Sequence, residues 1–158
     1  RPALDSIDLH EAVAHSIAFV RSEAVKHNVT IELQLMDDSP SVTADRTEVS
    51  QVIVNLLLNA IESLADHVGQ RTITVESFYD GEEFVQVTVA DTGRGMSHET
   101  QLKVFEPFFT TKPDGLGIGL ALCRSIIESH RGHMSLESTC DHGTRIGFSL
   151  PRADLVPT

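Results

Sequence analysis

The chain has 158 residues, 41% of them hydrophobic, which suffices for a single domain, 1–158, with its own core, and it carries a formal net charge of −11. No run approaches the roughly 18–20 apolar residues of a bilayer-spanning helix, and no charged-then-apolar leader follows Arg1. So acidic a surface repels phosphate backbones and anionic lipid, which argues against nucleic acid and against direct membrane contact.

The two cysteines, Cys123 and Cys140, make no disulfide framework, so a reducing cytoplasm is the expected setting. The chain reads as a piece of a longer protein, with a fraying tail at 152–158.

The first element is "DLHEAVAHSIAFVRSEAVKHN", an amphipathic helix with Leu9, Val13, Ile17, Val20 and Ala24 spaced four, four, three and four. "TIELQL" then alternates, Ile31, Leu33 and Leu35 on one face and Glu32 and Gln34 on the other. Asp45 with Glu48 resembles a capping box that opens a second helix running to about Asp66.

That helix carries two stripes. Val49, Val52, Ile53, Leu56, Ala60 and Leu64 form a core stripe. Glu48, Gln51, Asn55, Asn59 and Glu62 run beside it, spaced three, four, four and three. The polar stripe reads either as a solvated face or as a ligand face. Asparagine is a poor helix former, and two asparagines sit mid-helix one turn apart. Amide oxygens on a rigid helix suit a hard cation such as Mg²⁺.

"TITVESF" and "FVQVTVAD" read as neighbouring strands joined by "YDGEE". An irregular segment is expected from about 92 to 116, a third helix from about 117 to 130, then the strands "HMSLES" and "TRIGFSLP". The strands alternate rather than run continuously apolar, so one sheet face is covered and the other open. The expected fold is an α/β two-layer sandwich, a mixed sheet of about five strands with three helices on one face.

Two glycine clusters bound the irregular segment. Gly93 and Gly95 follow Asp91 at a strand end, where glycine permits positive φ or close backbone approach, and a carboxylate there can accept from an exocyclic amine. Gly115, Gly117 and Gly119 precede the third helix, whose N-terminal N–H groups suit phosphate. Each cluster alone could be a plain turn. Neither has the spacing of a dinucleotide or P-loop motif.

Taken together the parts resemble one family. "NLLLNAIES" is similar to its N box, "DTGRGM" to its G1 box, "FEPFFTTK" to its F box, "GLGIGLAL" to its G2 box and "GTRIGFSLP" to its last glycine box, all in the family's order. The family is the catalytic, ATP-binding domain of sensor histidine kinases, in the Bergerat or GHKL superfamily, and the F and G2 boxes look most like its nitrogen-regulation and dicarboxylate-sensing branch. The resemblance spans about residues 5–151.

It implies the Bergerat fold, ATP and Mg²⁺ as ligands, and an ATP lid at about 93–116. Phe105, Phe108 and Phe109 would anchor that lid, although Phe105 also reads as part of a small satellite core. Asp91 would accept the adenine amino group, Gly95 allowing close approach and Thr144 supporting the contact through water, with Gly93 also in the nucleotide site. Asn59 would be the Mg²⁺ ligand and a catalytic residue, with Asn55 near the phosphates or the metal's waters. Thr110, Thr111, Gly115, Leu116, Gly117, Gly119 and Leu120 would line the nucleotide site. Lys112 would meet the γ-phosphate, or else be a solvated lid lysine.

Hydrolysing relatives place a Glu where this chain has Asn55, and an amide cannot take a proton, so the resemblance implies transfer rather than hydrolysis. The acceptor would be a histidine on an upstream dimerisation domain of a homodimeric protein, with a response regulator as the next acceptor. His10, in "LHEA", lacks the proline that follows the family's phosphoacceptor histidine. His130, His133, Cys140 and His142 are residue types that zinc uses, at no recognised spacing, and the histidines read as surface residues. Cys123 reads as core. The competing readings are an ATPase clamp, a nucleotide-sensing module without catalysis, and a serine kinase of the anti-sigma type.

Overall fold

Alternating valines set the sheet. The computed structural model describes residues 2–106, 119–139 and 143–154. In chain order these form β1 (Asp5–Asp8), α1 (Leu9–Lys26), β2 (Thr30–Gln34), β3 (Ser41–Ala44), α2 (Arg46–Leu64), β4 (Thr72–Asp80), β5 (Phe84–Asp91), α3 (His98–Lys103), α4 (Gly119–Ser129), β6 (His133–Thr139) and β7 (Gly143–Pro151).

One mixed sheet runs in the order β2-β4-β5-β7-β6, β2 parallel to β4 and the other pairs antiparallel. The β5–β7 register places Val85 opposite Leu150, Val87 opposite Phe148 and Val89 opposite Ile146, all buried. This face carries α1, α2 and α4; the opposite face keeps Glu32, Gln34, Arg145 and Glu137 exposed. The parallel β2–β4 pair needs a long crossover, and α2 is most of it.

Asp45 caps α2 as expected, its carboxylate accepting from the N–H of Thr47 and of Glu48. The buried stripe is wider than the sequence suggested, adding Leu57 and Ile61, because α2 is covered by α1 on one side and α4 on the other.

Three elements depart from expectation. β1 and β3 pair as a separate two-stranded antiparallel sheet; each has four residues, too few for alternation to declare itself, and only Ile7, Val42 and Ala44 are buried. α3 falls inside the segment expected to be irregular. It buries no side chain, so no apolar stripe betrays it, and Ser97 caps it by accepting from Thr100 N–H at 3.2 Å. Within the segment 152–158, expected to fray, Arg152 N–H donates to Glu83 O, Ala153 N–H to Ser41 O, and the Arg152 guanidinium lies over the Tyr79 ring.

α1 and α4 end alike. After α1, Asn28 takes φ +56° and Val29 N–H reaches back to Ala24 O at 2.8 Å. After α4, Arg131 takes φ +64°, its N–H donates to Glu128 O at 3.0 Å, and Gly132 N–H reaches Ile127 O at 2.9 Å. These are Schellman closures, and the position glycine usually fills is occupied by Asn28 and Arg131. The glycine stands one residue later because a Cβ on Gly132 would lie 1.9 Å from Ser149 O.

Relieving the left-handed strain at Arg131 by Arg131→Gly should therefore raise unfolding free energy by about 1 kcal/mol in urea titrations. Gly132→Ala should lower it by more than that. A stability loss in Arg131→Gly would show that the arginine side chain outweighs the backbone strain.

Candidate functional site

α2 and α4 run antiparallel, with the two asparagines at their seam. Asn55 Nδ2 lies 3.7 Å from Cys123 Sγ on α4. One turn on, Asn59 Nδ2 lies 3.9 Å from where a Cβ on Gly119 would stand, so the start of α4 passes close to it. Both asparagines are half-buried, whereas Gln51 and Glu62 in the same stripe are exposed. The middle of the stripe is thus a seam, not a solvated face. No side-chain hydrogen bond to Asn59 occurs among the described residues. Burying a polar group without a partner is costly, so a half-buried amide left open suits a ligand.

A second group lies past Asn59, toward the C-terminal end of α2. Asp91 ends β5 with only 9% of its surface exposed. Its carboxylate accepts from Gly93 N–H at 2.9 Å and from the backbone N–H of Thr144, its register partner on β7. Burial nevertheless pushes its pKa above the usual carboxylate range, the two N–H groups and, more weakly, His67 pulling the other way. An ionised carboxylate has about four acceptor positions, so two backbone donors leave room for another.

The glycines here serve different ends. A Cβ on Gly93 would sit 3.0 Å from Asp91 Oδ1 and 3.1 Å from Ser63 Oγ, so its role is space, whereas Gly95 does take positive φ, +76°. Thr144 reaches Asp91 directly through its backbone N–H. Gly143, which the sequence reading did not single out, has φ +92°, and a Cβ there would lie 2.0 Å from Asp91 O. The "GT" pair carried that signal. Thr92, also missed, fixes the loop after Asp91 by accepting from Thr72 N–H at 3.0 Å.

Gly119 and Leu120 are half-buried at the start of α4. Thr110, Thr111, Lys112, Gly115, Leu116, Gly117, Phe108 and Phe109 lie outside the described residues, as do Cys140 and His142. Phe105 is half-buried beside buried Val104, with the Arg124 guanidinium of α4 5.3 Å from its ring centroid.

His130 is not a surface histidine: it is 2% exposed and both ring nitrogens are engaged. Among the described residues no group of three or more His, Cys, Asp or Glu is placed to hold a metal. Burial pushes the Cys123 thiol up to about 11, as a core cysteine requires. His10 is half-buried with Nε2 2.8 Å from Ser77 Oγ, and burial lowers its pKa against the pull of Asp8. No helix among the described residues is long and apolar enough to cross a membrane.

Comparison with known proteins matches residues 44–154 to the family described as histidine kinase-, DNA gyrase B- and HSP90-like ATPase. The sensor protein TdiS of Thauera aromatica is 40% identical over 91% of the chain, and FixL of Bradyrhizobium diazoefficiens 38% identical over 92%. The chain spans 27% and 28% of those two proteins. The solved catalytic domain of the histidine kinase ThkA superposes with a TM-score of 0.80 at 31% identity, covering 94% of this chain and 95% of that one.

The raised Asp91 pKa has a stability consequence. The folded state favours the protonated acid, so this group's contribution is greatest below the ordinary Asp value of 3.8 and is lost as pH rises through the raised value. Asp91→Asn should melt no lower than the parent chain at pH 7, and any advantage should close as pH falls below about 4. A large loss of melting temperature at pH 7 would mean that the ionised carboxylate stabilises the ligand-free fold.

Proposed function

The chain belongs to the histidine kinase-, DNA gyrase B- and HSP90-like ATPase family, and from that premise we propose the work of its residues within a sensor histidine kinase. It binds ATP with the adenine amino group on Asp91 and the phosphates at the α2–α4 seam. The γ-phosphoryl group is left exposed for a histidine carried on a separate dimerisation domain, and a response regulator takes it next. The observation that carries this is the seating of Asp91: a buried carboxylate held by two backbone N–H groups, with spare acceptor capacity, beside a turn that meets α2 at Ser63, one turn past Asn59, whose amide has no partner among the described residues.

Mg²⁺ fits that amide. It takes oxygen ligands, keeps several waters and needs few protein groups when phosphates supply the rest. Asn59 would hold it through Oδ1; the bound ion supplies charge neutralisation to the phosphates. Gly119 and the N–H groups opening α4 would receive phosphate oxygens, with Gly117, Gly115, Leu116, Leu120, Thr110 and Thr111 around them. Lys112 would offset charge on the transferring group. Asn55 lies beside the phosphates with its amide turned to the Cys123 thiol, so no carboxylate base stands where hydrolysing relatives have one. Transfer is then a matter of positioning and charge stabilisation. A cytoplasmic site of action fits the substrate.

With γ-labelled ATP and a separately supplied histidine-bearing dimerisation domain, label should appear on histidine, and Asn59→Ala should lower its rate on the order of a hundredfold. Label released as free phosphate, or found on a partner's serine, would overturn the reading.

A further inference from the structure

The α2–α4 pair is joined at both ends, and the far joint is a single imidazole. His130 follows the last residue of α4. Its Nδ1–H donates to Ile126 O at 2.7 Å, inside α4, and its Nε2 accepts from Asp45 N–H at 3.0 Å. A carbonyl can only accept and an amide N–H can only donate, so these two bonds fix the neutral ring with its proton on Nδ1. Asp45 is the N-cap of α2 and also accepts from Ala3 N–H at 2.9 Å. The ring is 2% exposed, so water does not compete. Moving along the seam from this joint, Cys123 meets Asn55, and Gly119 meets Asn59.

We propose that His130 is a positioning residue for the phosphate end of the nucleotide site. By tying the last turn of α4 to the cap of α2, it sets how far α4 extends along α2, and hence where Gly119 and the N–H groups of its first turn stand relative to Asn59. A rigid helix transmits a shift at one end to the other. The adenine end hangs on other elements: Asp91 and Thr144 are carried by β5 and β7, and Gly93 by the turn after β5. The inference rests on α4's first turn being the phosphate end. Its signature is a selective loss: phosphates should feel a change at His130 and adenine should not.

His130→Asn keeps a donor near Ile126 O but cannot reach Asp45, whereas His130→Gln can still present an acceptor to Asp45 N–H. Titration calorimetry with Mg²⁺–ATP and with adenosine, on variants that melt cooperatively, should show His130→Asn weakening Mg²⁺–ATP about tenfold and adenosine by less than about twofold. His130→Gln should recover most of the difference. Equal losses for both ligands, or none, would overturn the positioning role and leave the nucleotide site standing. Failure of the parent chain to bind Mg²⁺–ATP would sink the site and this inference together.

A second arm needs no variant, because coupling is reciprocal. Mg²⁺–ATP should slow hydrogen exchange at Asp45 N–H in the parent chain more than saturating adenosine does; equal slowing by the two would also overturn the proposal.

Discussion

A carboxylate taken out of water is an expense that a fold must offset, and here two backbone N–H groups, from Gly93 and Thr144, offset part of it. The rest of the site follows from that placement. Thr144 can donate only because β7 lies beside β5 with Asp91 and Thr144 in register. Gly93 can donate only because the chain turns tightly enough that a side chain there would strike Asp91 and Ser63. Gly143 must be glycine because the start of β7 passes against the Asp91 carbonyl at positive φ. The pKa of Asp91 still rises, so the offset is incomplete. A buried carboxylate whose pKa is raised in this way is a candidate ligand contact.

The strands and the helices divide the labour. In the proposed site the base end is held by β5 and β7, where hydrogen-bonded register leaves little play. The proposed phosphate end is held by the facing surfaces of α2 and α4, where contacts are side chain against helix: Asn55 on Cys123, Asn59 on Gly119, Asp45 on His130. Helices can shift along one another more readily than strands can slip register, which reverses every side chain. Such a division suits a domain whose base contact is fixed while its phosphate contacts change as a phosphoryl group leaves.

Much of this was legible in the sequence, for identifiable reasons. The valines of "FVQVTVAD" alternate because one face is covered, and Asn55 and Asn59 stood out because asparagine is out of place in mid-helix. Asp91 stood out because two glycines follow it. Features that depend on distant pairing were not legible. β1 and β3 are defined by each other, Asp8 pairing with Ser41 and Asp5 with Ala44, and carry no periodicity of their own. α3 buries nothing, so it leaves no stripe. His130 looked like one of several histidines near a helix end; only the fold places its ring against Asp45, and only then is it a strut and not a surface residue. The backbone N–H that Thr144 gives Asp91 was not legible either, because it depends on the β5–β7 register.

In the proposed site one pocket grips purine on the strands and phosphate on the helix seam. Backbone amide shifts of the isotope-labelled chain test it most directly, with adenosine added first and Mg²⁺–ATP second. Adenosine should move Gly93, Gly95 and Thr144 and leave Asn59 and Gly119 in place, and Mg²⁺–ATP should then move Asn59 and Gly119 as well. If adenosine moves both sets alike, or Mg²⁺–ATP moves neither, the two ends are not one divided site and the account fails.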